Sequence, residues 1–364
     1  MLALKQQLEQ GDLIMLQDTM PPQFGYPLPL RDNGYIRFAA DNPVARALLR
    51  EAIYEVYPSE QMPPSLRYED EFQLLRLLST LQRRFVPEQA ECIHCRISRQ
   101  EEDESEWTPL GSLFGEVGGR GVSETILHKL FTTHMQPIVA GDGRTIGYEF
   151  LLRPLPELPP FRPAGLFEAA RRTGQHGFLD RAARKTAIRM GASHLSDGTK
   201  RFINFLPSSL HEPDTCLRGT FEEIRNSGTS PEDYVFEVME TERLDDPSIG
   251  RVFDVARTNG VRLALDDVGT GYATLDTVDR LRPDYVKMDR KWVSGCDTDA
   301  GKQKYIEGLL RRAAKFGGTV LAEGVERAEE WDYLRRTGVP LFQGYLFGRA
   351  APVPSYPTRG VSSV

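Results

Sequence analysis

The fold is decided by one stretch of the sequence, residues 261–272, which reads VRLALDDVGTGY. Its first five residues form a short apolar run of the kind that makes a buried strand. Asp266 and Asp267 end this run, and a glycine-rich turn follows them. Taken alone, an Asp-Asp pair before glycine is more often turn chemistry than a metal site. Its meaning therefore depends on whether other strands end in the same way.

Further short apolar runs follow the same pattern from about residue 124 onward. The predicted strands are residues 137–140, 146–152, 202–206, 234–238, 261–265, 285–288, 319–322 and 340–343. Amphipathic helical patterns lie between the last of them, and glycines end these helices. About eight strands over roughly 230 residues predict an α/β fold, a (β/α)8 barrel with a parallel sheet. An open doubly wound sheet is the alternative, but the sequence lacks the glycine-rich phosphate fingerprint that such sheets often carry.

Polar residues recur at or near the carboxyl ends of these strands. They are Glu149, Asn204, Glu237, Asp266, Asp267, Lys287, Asp289, Glu323 and Gln343. A single acid at a strand end is usually a turn residue or helix cap, and a single buried lysine is usually a salt-bridge partner. A barrel, however, brings all these strand ends to one mouth.

Carboxylates gathered at one mouth need protons or cations. Two like charges about 4 Å apart repel by about 4 kcal/mol at an effective dielectric constant of about 20. Oxygen ligands with one amide and no cysteine suit magnesium or manganese better than structural zinc. Two adjacent aspartates can serve two neighbouring ions, an arrangement used in phosphodiester hydrolysis.

The bulk composition of the 364 residues limits the classes of function. Hydrophobic residues make up 40%, enough for a buried core, and the net charge of −7 argues against a broad DNA-binding surface. We find no apolar run of signal-peptide or transmembrane length, so we expect a cytoplasmic protein without a membrane span. Four cysteines do not suggest a disulfide framework, and Cys92-x-x-Cys95 is at best half of a zinc pattern.

The chain is expected to divide into four parts. Residues 1–97 predict a small, mainly helical region, in which Asp41-Asn42-Pro43 resembles a helix start and Leu74, Leu77, Leu78 and Leu81 share one helical face. Residues 98–123, acidic and then glycine-rich, predict a linker. Residues 124–355 form the predicted barrel, and residues 356–364 a tail.

Eight strings in the predicted barrel, residues 124–355, resemble the EAL domain, a phosphodiesterase family specific for cyclic di-GMP. In chain order they are residues 136–138 (QPI), 147–153 (GYEFLLR), 203–204 (IN), 237–240 (EVME), 266–272 (DDVGTGY), 287–289 (KMD), 322–326 (AEGVE) and 343–345 (QGY). The match extends over about 230 residues. The resemblance implies a (β/α)8 barrel, hydrolysis of cyclic di-GMP to linear pGpG, and two divalent ions, Mg²⁺ or Mn²⁺.

The resemblance also implies roles for individual residues. Glu149, Asn204, Glu237 and Asp266 would ligate one ion. Asp267 would ligate the second, helped by Asp289 and Glu323. The implied catalytic residues are Glu323 as general base, Lys287 as the group that positions the attacking water, and Glu240 as the anchor of the loop after Asp267. The implied substrate contacts are Gln136, Arg153 and Gln343.

Three departures from the family pattern bear on activity. Phe150 replaces the alanine of Glu-Ala-Leu, Met239 replaces threonine in the Glu-x-Thr-Glu string, and Val268 replaces the phenylalanine after the paired aspartates. The last two lie in or beside the elements that support the second-metal loop, so they could lower turnover without removing a ligand. A cyclic di-GMP receptor without catalysis, or a protein-interaction module acting through residues 1–97, therefore remain alternatives. The resemblance is also compatible with a homodimer. Because a flexible linker is expected to separate residues 1–97 from the barrel, we predict that they regulate the barrel or dock a protein partner.

Overall fold

The structure is a computed structural model. It describes residues 27, 29–58, 65–103, 105–210, 212–239, 244, 246 and 248–354. Among the helices of these residues, none combines the length and apolarity needed to cross a bilayer.

The N-terminal unit combines an antiparallel sheet with helices. Its elements are β1 (Gly34–Ala40), α1 (Pro43–Val56), β2 (Leu66–Tyr68), α2 (Glu71–Arg84), α3 (Pro87–Ala90), β3 (Ile93–Ser98) and β4 (Thr108–Pro109). The four strands form one sheet in the order β2-β1-β3-β4. The two predicted helices are present, and a four-stranded sheet that the sequence did not predict accompanies them.

Local side-chain chemistry explains where the two longer helices begin. The Asn42 side chain accepts a hydrogen bond from the Ala45 amide at 2.8 Å, and Pro43 occupies the first helical position. Asp70 caps α2 in the same way, accepting from the Gln73 amide at 2.9 Å. The cap before α1 was predicted from the sequence, whereas Asp70 was not singled out as the cap of α2.

The missed sheet has a weaker signal. In β3, Ile93 and Cys95 are buried whereas His94 and Arg96 are partly exposed, which is the period-two pattern of a half-buried strand. The pattern extends over only six residues and lies beside strong helical patterns. Its pairing with β1, from Tyr35↔Ser98 to Ala40↔Ile93, depends on contacts remote in sequence.

The stretch expected as a linker contains short elements and some buried residues in its second half. It contains β4, β5 (Glu116–Val117), β6 (Arg120–Gly121) and the start of α4 (Val122–Leu127). Leu110, Leu113 and Val122 are buried in the same core cluster as helices of the N-terminal unit. The second half of residues 98–123 therefore contributes buried apolar residues, spaced between its glycines, to this core.

The barrel follows. Its strands are β7 (Phe131–Ala140), β8 (Thr145–Pro154), β9 (Lys200–Phe205), β10 (Tyr234–Val238), β11 (Arg262–Val268), β12 (Tyr285–Met288), β13 (Thr319–Ala322) and β14 (Leu341–Gln343). Its helices are α5 (Pro163–Arg172), α6 (His176–His194), α7 (Pro213–Cys216), α8 (Arg218–Asn226), α9 (Ser248–Thr258), α10 (Leu275–Leu281), α11 (Arg290–Val293), α12 (Ala300–Ala314) and α13 (Ala328–Thr337).

The eight strands close into a barrel in the order β10-β11-β12-β13-β14-β7-β8-β9, which confirms the predicted fold. One detail differs from the expected all-parallel sheet, because β7 runs antiparallel to both β8 and β14. Only residues 141–144 separate β7 from β8. A connection this short can form a hairpin but cannot contain the crossover that parallel neighbours need.

The interior of the barrel is filled at one level by apolar side chains. They are Ile138, Phe202, Val235, Ala264, Tyr285, Leu321 and Leu341. A second cluster lies between the strands and the surrounding helices. Because successive side chains of a strand point to opposite faces, this arrangement fixes which residues face the barrel interior above the apolar layer.

Candidate metal-binding active site

The candidate site lies inside the barrel, one layer above the apolar layer described above and toward the carboxyl ends of the strands. On six strands, the residue two positions after the interior apolar side chain is polar, and it points into the same interior. The apolar and polar pairs are Phe202 and Asn204, Val235 and Glu237, Ala264 and Asp266, Tyr285 and Lys287, Leu321 and Glu323, and Leu341 and Gln343. The strand pairings therefore bring together residues that are up to 139 positions apart in sequence.

Lys287 lies at the centre of this polar layer, with a side chain that is 1% exposed. Its Nζ is 2.7 Å from Glu237 Oε1, 2.7 Å from Glu323 Oε1, 2.8 Å from Asp266 Oδ1 and 3.6 Å from Glu149 Oε1. Four carboxylates predicted from the sequence as site residues are thus within contact distance of one ammonium group.

Two amides orient Glu149, which reaches the site from β8. Gln343 Nε2 donates to Glu149 Oε2 at 2.6 Å, and Asn204 Nδ2 donates to Glu149 Oε1 at 3.5 Å. Gln343 comes from β14 and Asn204 from β9, on opposite sides of β8 and β7 in the barrel. The three predicted residues therefore form one hydrogen-bonded group across the mouth.

The site carries more negative charge than its lysine can neutralise. Glu149, Glu237, Asp266, Asp267 and Glu323 provide five carboxylates against one ammonium, which leaves an excess of four negative charges when all are ionised. Burial raises the pKa of Glu237 and of Glu323 well above the usual value, against the attraction of Lys287.

The pKa of Lys287 is shifted by opposing effects. Burial alone would lower it, but the surrounding carboxylates, Asp266 first among them, raise it well above its usual value. Lys287 is therefore a permanent cation at this site.

A backbone irregularity brings two adjacent aspartates to the same mouth. In a regular strand, Asp266 and Asp267 would point to opposite faces. The register between β11 and β12 shifts between Leu265 and Val268, and Asp267 adopts a left-handed conformation with φ 46°. As a result, carboxylate oxygens of Asp266, Asp267 and Glu323 lie within 4.8 Å of one another. Bulges commonly redirect a side chain in this way beside active sites.

The cluster fits divalent cations. Its ligand atoms are carboxylate and amide oxygens, which hard cations prefer. Among the described residues, Glu237 Oε2 and Gln343 Oε1 are buried and have no hydrogen-bond partner, so two acceptors remain available to a cation inside the barrel. Two divalent ions would also balance the excess of four negative charges.

The remaining predicted residues lie at the margin of this cluster or outside it. Gln136 Nε2 donates to the Gly348 carbonyl at 3.2 Å, and Arg153 Nη1 donates to the Leu152 carbonyl at 2.8 Å. Asp289 caps α11 by accepting from the Lys291 amide at 3.1 Å. Glu240 lies outside the described residues.

Three residues beside the site had not been singled out from the sequence. Lys291, Trp292 and Tyr305 contact the turn that follows Asp267. No motif or periodicity in α11 or α12 distinguishes them from ordinary surface and core residues. Only the three-dimensional packing of the turn reveals their position.

Comparisons with known proteins identify the family of this chain. The family model described as EAL domain matches residues 120–350. The probable cyclic di-GMP phosphodiesterase PdeG of Escherichia coli K12 is 33% identical over 225 residues, covering 58% of this chain and 43% of PdeG. The probable cyclic di-GMP phosphodiesterase PdeN of the same organism is 28% identical over 247 residues, covering 65% of this chain and 47% of PdeN. The chain thus spans less than half the length of either relative.

Solved structures resemble the barrel region. Klebsiella pneumoniae BlrP1 in a manganese and cyclic di-GMP complex is 29% identical, with a TM-score of 0.56, covering 61% of this chain and 56% of BlrP1. A standalone EAL protein from Vibrio cholerae O395, in a form bound to cyclic di-GMP, is 30% identical with the same TM-score, covering 62% of this chain and 94% of that protein. Because the family model matches more than half of the sequence, the chain belongs to the EAL domain family.

Proposed function

We propose that this protein hydrolyses cyclic di-GMP to linear pGpG with the help of two divalent cations, Mg²⁺ or Mn²⁺. The observation that carries the proposal is the ring of carboxylates around Lys287, at the mouth of a barrel of the EAL family. Relatives named as probable cyclic di-GMP phosphodiesterases, and the manganese and cyclic di-GMP complex of BlrP1, support the choice of substrate and metal.

The ligands divide into two groups. Glu149, Asn204, Glu237 and Asp266 would hold one ion. Asp267 would hold the other together with Glu323, and Asp289 would join them only after giving up its contact with the Lys291 amide. When bound, the two ions supply a hydroxide nucleophile near neutral pH and offset charge on the phosphodiester.

Two side chains of the protein would accept the proton of the attacking water and offset the developing negative charge. Glu323 would accept a proton from the attacking water as the new oxygen–phosphorus bond forms and the bond from phosphorus to the ribose oxygen breaks. Lys287, which remains protonated, would position that water and offset the developing negative charge. The released ribose oxygen would take a proton from solvent.

Substrate contacts surround this centre. Arg153 would bind a phosphate oxygen through its forked guanidinium. Gln136 and Gln343 would contact the substrate or orient groups that do, and Gln343 already holds Glu149. Glu240 would anchor the loop after Asp267.

Product analysis on the full chain tests the proposal. Conversion of cyclic di-GMP to pGpG is expected with Mg²⁺ or Mn²⁺ and is lost in Glu149→Ala, whereas Glu307→Ala, an exposed acid on α12, serves as the control. Calorimetry with Ca²⁺ separates the alternatives. Binding without any pGpG in Mg²⁺ or Mn²⁺ would indicate a receptor, and no nucleotide binding at all would indicate an interaction module.

We propose further that the N-terminal unit regulates the barrel or docks a protein partner. Arg181 on α6 contacts Asp32 at 2.6 Å and Glu71 at 2.8 Å, which ties the N-terminal unit to a barrel helix. The preceding residue, Asp180, accepts from the Leu206 amide at 3.2 Å, just after β9 and its Asn204. A change in catalytic rate in Arg181→Ala would support this coupling. We also propose that the protein forms a homodimer and that it is located in the cytoplasm.

A further inference from the structure

The turn that follows Asp267 rests on a pair of stacked aromatic rings. Trp292 on α11 and Tyr305 on α12 lie face to face, with ring centroids 3.7 Å apart and an angle of 8° between the planes. Both side chains are only partly buried. They lie beneath residues 268–271, the segment that connects Asp267 to the rest of the barrel.

Direct contacts hold the turn against this pair. Tyr305 Oη donates to the Val268 carbonyl at 3.3 Å, and Lys291 Nζ donates to the Gly269 carbonyl. Gly269 has φ +100°, and a Cβ atom there would lie 2.3 Å from Trp292 Nε1 and 2.5 Å from Tyr305 Oη. The turn therefore approaches the two rings as closely as a backbone without a side chain allows.

The position of this turn determines where the Asp267 carboxylate lies. Asp267 adopts φ 46°, in the left-handed region that is uncommon for residues other than glycine, although aspartate and asparagine adopt it more readily than most. Its carbonyl accepts from Thr270 Oγ1 at 2.7 Å and from the Thr270 amide at 3.1 Å, and the Gly269 amide donates to the Ala273 carbonyl at 2.7 Å. A displacement of Val268 and Gly269 would consequently move the Asp267 backbone as well.

We propose that Trp292, Tyr305 and Lys291 are positioning residues for Asp267 and thereby set the affinity of one of the two cation sites. This inference rests on the two-cation function proposed above. Tyr305 and Lys291 act through the backbone carbonyls of the turn, and Trp292 acts through its packing. None of the three residues is among those assigned above to the cations or to the substrate.

The packing at Trp292 is consistent with a role beyond stability. Trp292 Nε1 is buried and has no hydrogen-bond partner among the described residues. A buried donor without a partner costs about 1–3 kcal/mol, so an aromatic residue chosen for stability alone would more simply be phenylalanine. Burial raises the pKa of Tyr305 to about 12, so its hydroxyl keeps its proton and remains a donor at neutral pH.

The experiment measures Mn²⁺ binding to the full chain directly, by titration calorimetry and by the electron paramagnetic resonance signal of free Mn²⁺. The wild type is expected to bind two ions. Tyr305→Phe removes only the hydroxyl and is expected to weaken one of the two sites by about three- to tenfold, the effect of one lost hydrogen bond. Lys291→Met, at an exposed position, is expected to weaken the same site.

Tyr333→Phe is the matched control. Tyr333 is a partly buried tyrosine on α13 that packs against the same core cluster, and its loss of a hydroxyl should leave both Mn²⁺ affinities unchanged. Hydrolysis is measured in parallel, where Tyr305→Phe should raise the Mn²⁺ concentration for half-maximal rate and leave the KM for cyclic di-GMP nearly unchanged.

The outcomes separate the inference from the proposed function. Unchanged Mn²⁺ binding in both Tyr305→Phe and Lys291→Met would overturn the inference, as would an equal loss of affinity in the Tyr333→Phe control. If the wild type binds two ions but forms no pGpG, the proposed hydrolysis fails, while the Mn²⁺ affinities of the variants still decide the inference.

Discussion

Lys287 and Glu237 form an ion pair at the centre of the barrel mouth, with Nζ 2.7 Å from Oε1 and side chains that are 1% and 0% exposed. Transfer of both charges from water into a protein interior costs several kcal/mol for each ion. A hydrophobic pair would fill the same space at lower cost. The protein therefore sacrifices stability at this position, which is typical of functional sites.

Lys287→Met tests the electrostatic role of this lysine. Removal of one partner of a buried ion pair typically costs about 3–5 kcal/mol, because the other charge remains buried without a partner. We expect the metal-free variant to unfold at a lower temperature than the wild type, and Mn²⁺ to raise its Tm by more than it raises the Tm of the wild type. Hydrolysis should fall by a factor on the order of 10²–10³.

Lys200→Met provides the comparison for this measurement. Lys200 is also largely buried and pairs with Asp233 at 3.1 Å, but it lies at the start of β9, far from the mouth. Its loss should lower Tm without any additional response to Mn²⁺. An identical Mn²⁺ response in the two variants would contradict the cation-binding role of the Lys287 cluster.

The buried carboxyl groups predict an unusual dependence of stability on pH. Burial raises the pKa of Glu237 and Glu323 well above 4.5, so the metal-free folded chain binds more protons than the unfolded chain above that pH. Their contribution to stability is complete below about pH 4.5 and is lost as pH rises through the raised pKa values. The raised pKa of Lys287 acts only at alkaline pH and does not oppose this trend.

Urea unfolding from pH 5 to 8 checks this prediction. In the presence of a chelator, the free energy of unfolding of the wild type should fall more steeply with rising pH than that of Glu237→Gln. Saturating Mn²⁺ should remove the difference in slope, because the cations bind the deprotonated carboxylates. Equal slopes for the wild type and Glu237→Gln under chelation would show that Glu237 does not titrate as proposed.

The residues at the barrel mouth could be predicted from the sequence because side chains alternate between inward-facing and outward-facing positions along each strand. Val235 and Glu237, like Tyr285 and Lys287, are two positions apart on short strands, and a parallel barrel places every such pair at the same level. The repeated strand–helix pattern predicts parallel strands, whereas the antiparallel direction of β7 follows from its four-residue connection to β8, which is too short for a crossover.

The bulge at Asp267 could not be predicted for a different reason. Asp267 has a left-handed φ of 46°, and the turn that follows it contacts Lys291 and Tyr305, which lie 24 and 38 residues further along the chain. No local pattern encodes such contacts. The same holds for the N-terminal sheet, whose central strand pairs with residues about 60 positions away.

Asp267→Asn separates the charge of this residue from its conformation. Asparagine tolerates the left-handed region almost as well as aspartate, so the variant should keep the wild-type Tm in the absence of metal. It should still lose most of the hydrolytic activity, because the second ion loses its charged ligand. Asp267→Ala should lose activity to a similar extent and, because alanine tolerates φ 46° poorly, should also be less stable by about 1 kcal/mol. Retention of full activity by Asp267→Asn would contradict the assignment of Asp267 as a ligand.

The four cysteines predict a simple pattern of thiol reactivity. Burial raises the pKa of Cys95 to about 11 and that of Cys296 to about 12, so both remain protonated and unreactive at pH 8. Cys216 is also buried, whereas Cys92 is partly exposed. A colorimetric thiol reagent should therefore label one thiol rapidly in the folded chain, and Cys92→Ser should abolish that rapid phase. Rapid labelling of both Cys92 and Cys95, with protection by Zn²⁺, would instead indicate a metal or redox site.

The shared core between the N-terminal unit and the barrel predicts that the two unfold together. Leu166, Phe178 and Leu179 on barrel helices are buried in the same cluster as Leu74 and Leu78 of α2. A chain truncated to begin at Gly121 would lose the part of this cluster that residues 1–120 provide, including Leu74 and Leu78, and each fully buried residue of this kind contributes about 1.5–3 kcal/mol. We therefore expect the truncated chain to aggregate or to unfold at a much lower temperature than the full chain.

A substitution that removes only the polar contact gives a finer test of the same interface. Arg181 is 14% exposed and contacts both Asp32 and Glu71, whereas Arg189, two turns further along α6, is 51% exposed and contacts Glu223 within the barrel. Arg181→Ala should lower the free energy of unfolding by more than 1 kcal/mol, because it leaves the largely buried Glu71 without its main partner. Arg189→Ala should change it by less than about 1 kcal/mol, as for an exposed pair. Two separate unfolding transitions in the wild type, or equal effects of the two substitutions, would mean that the units are not coupled through α6.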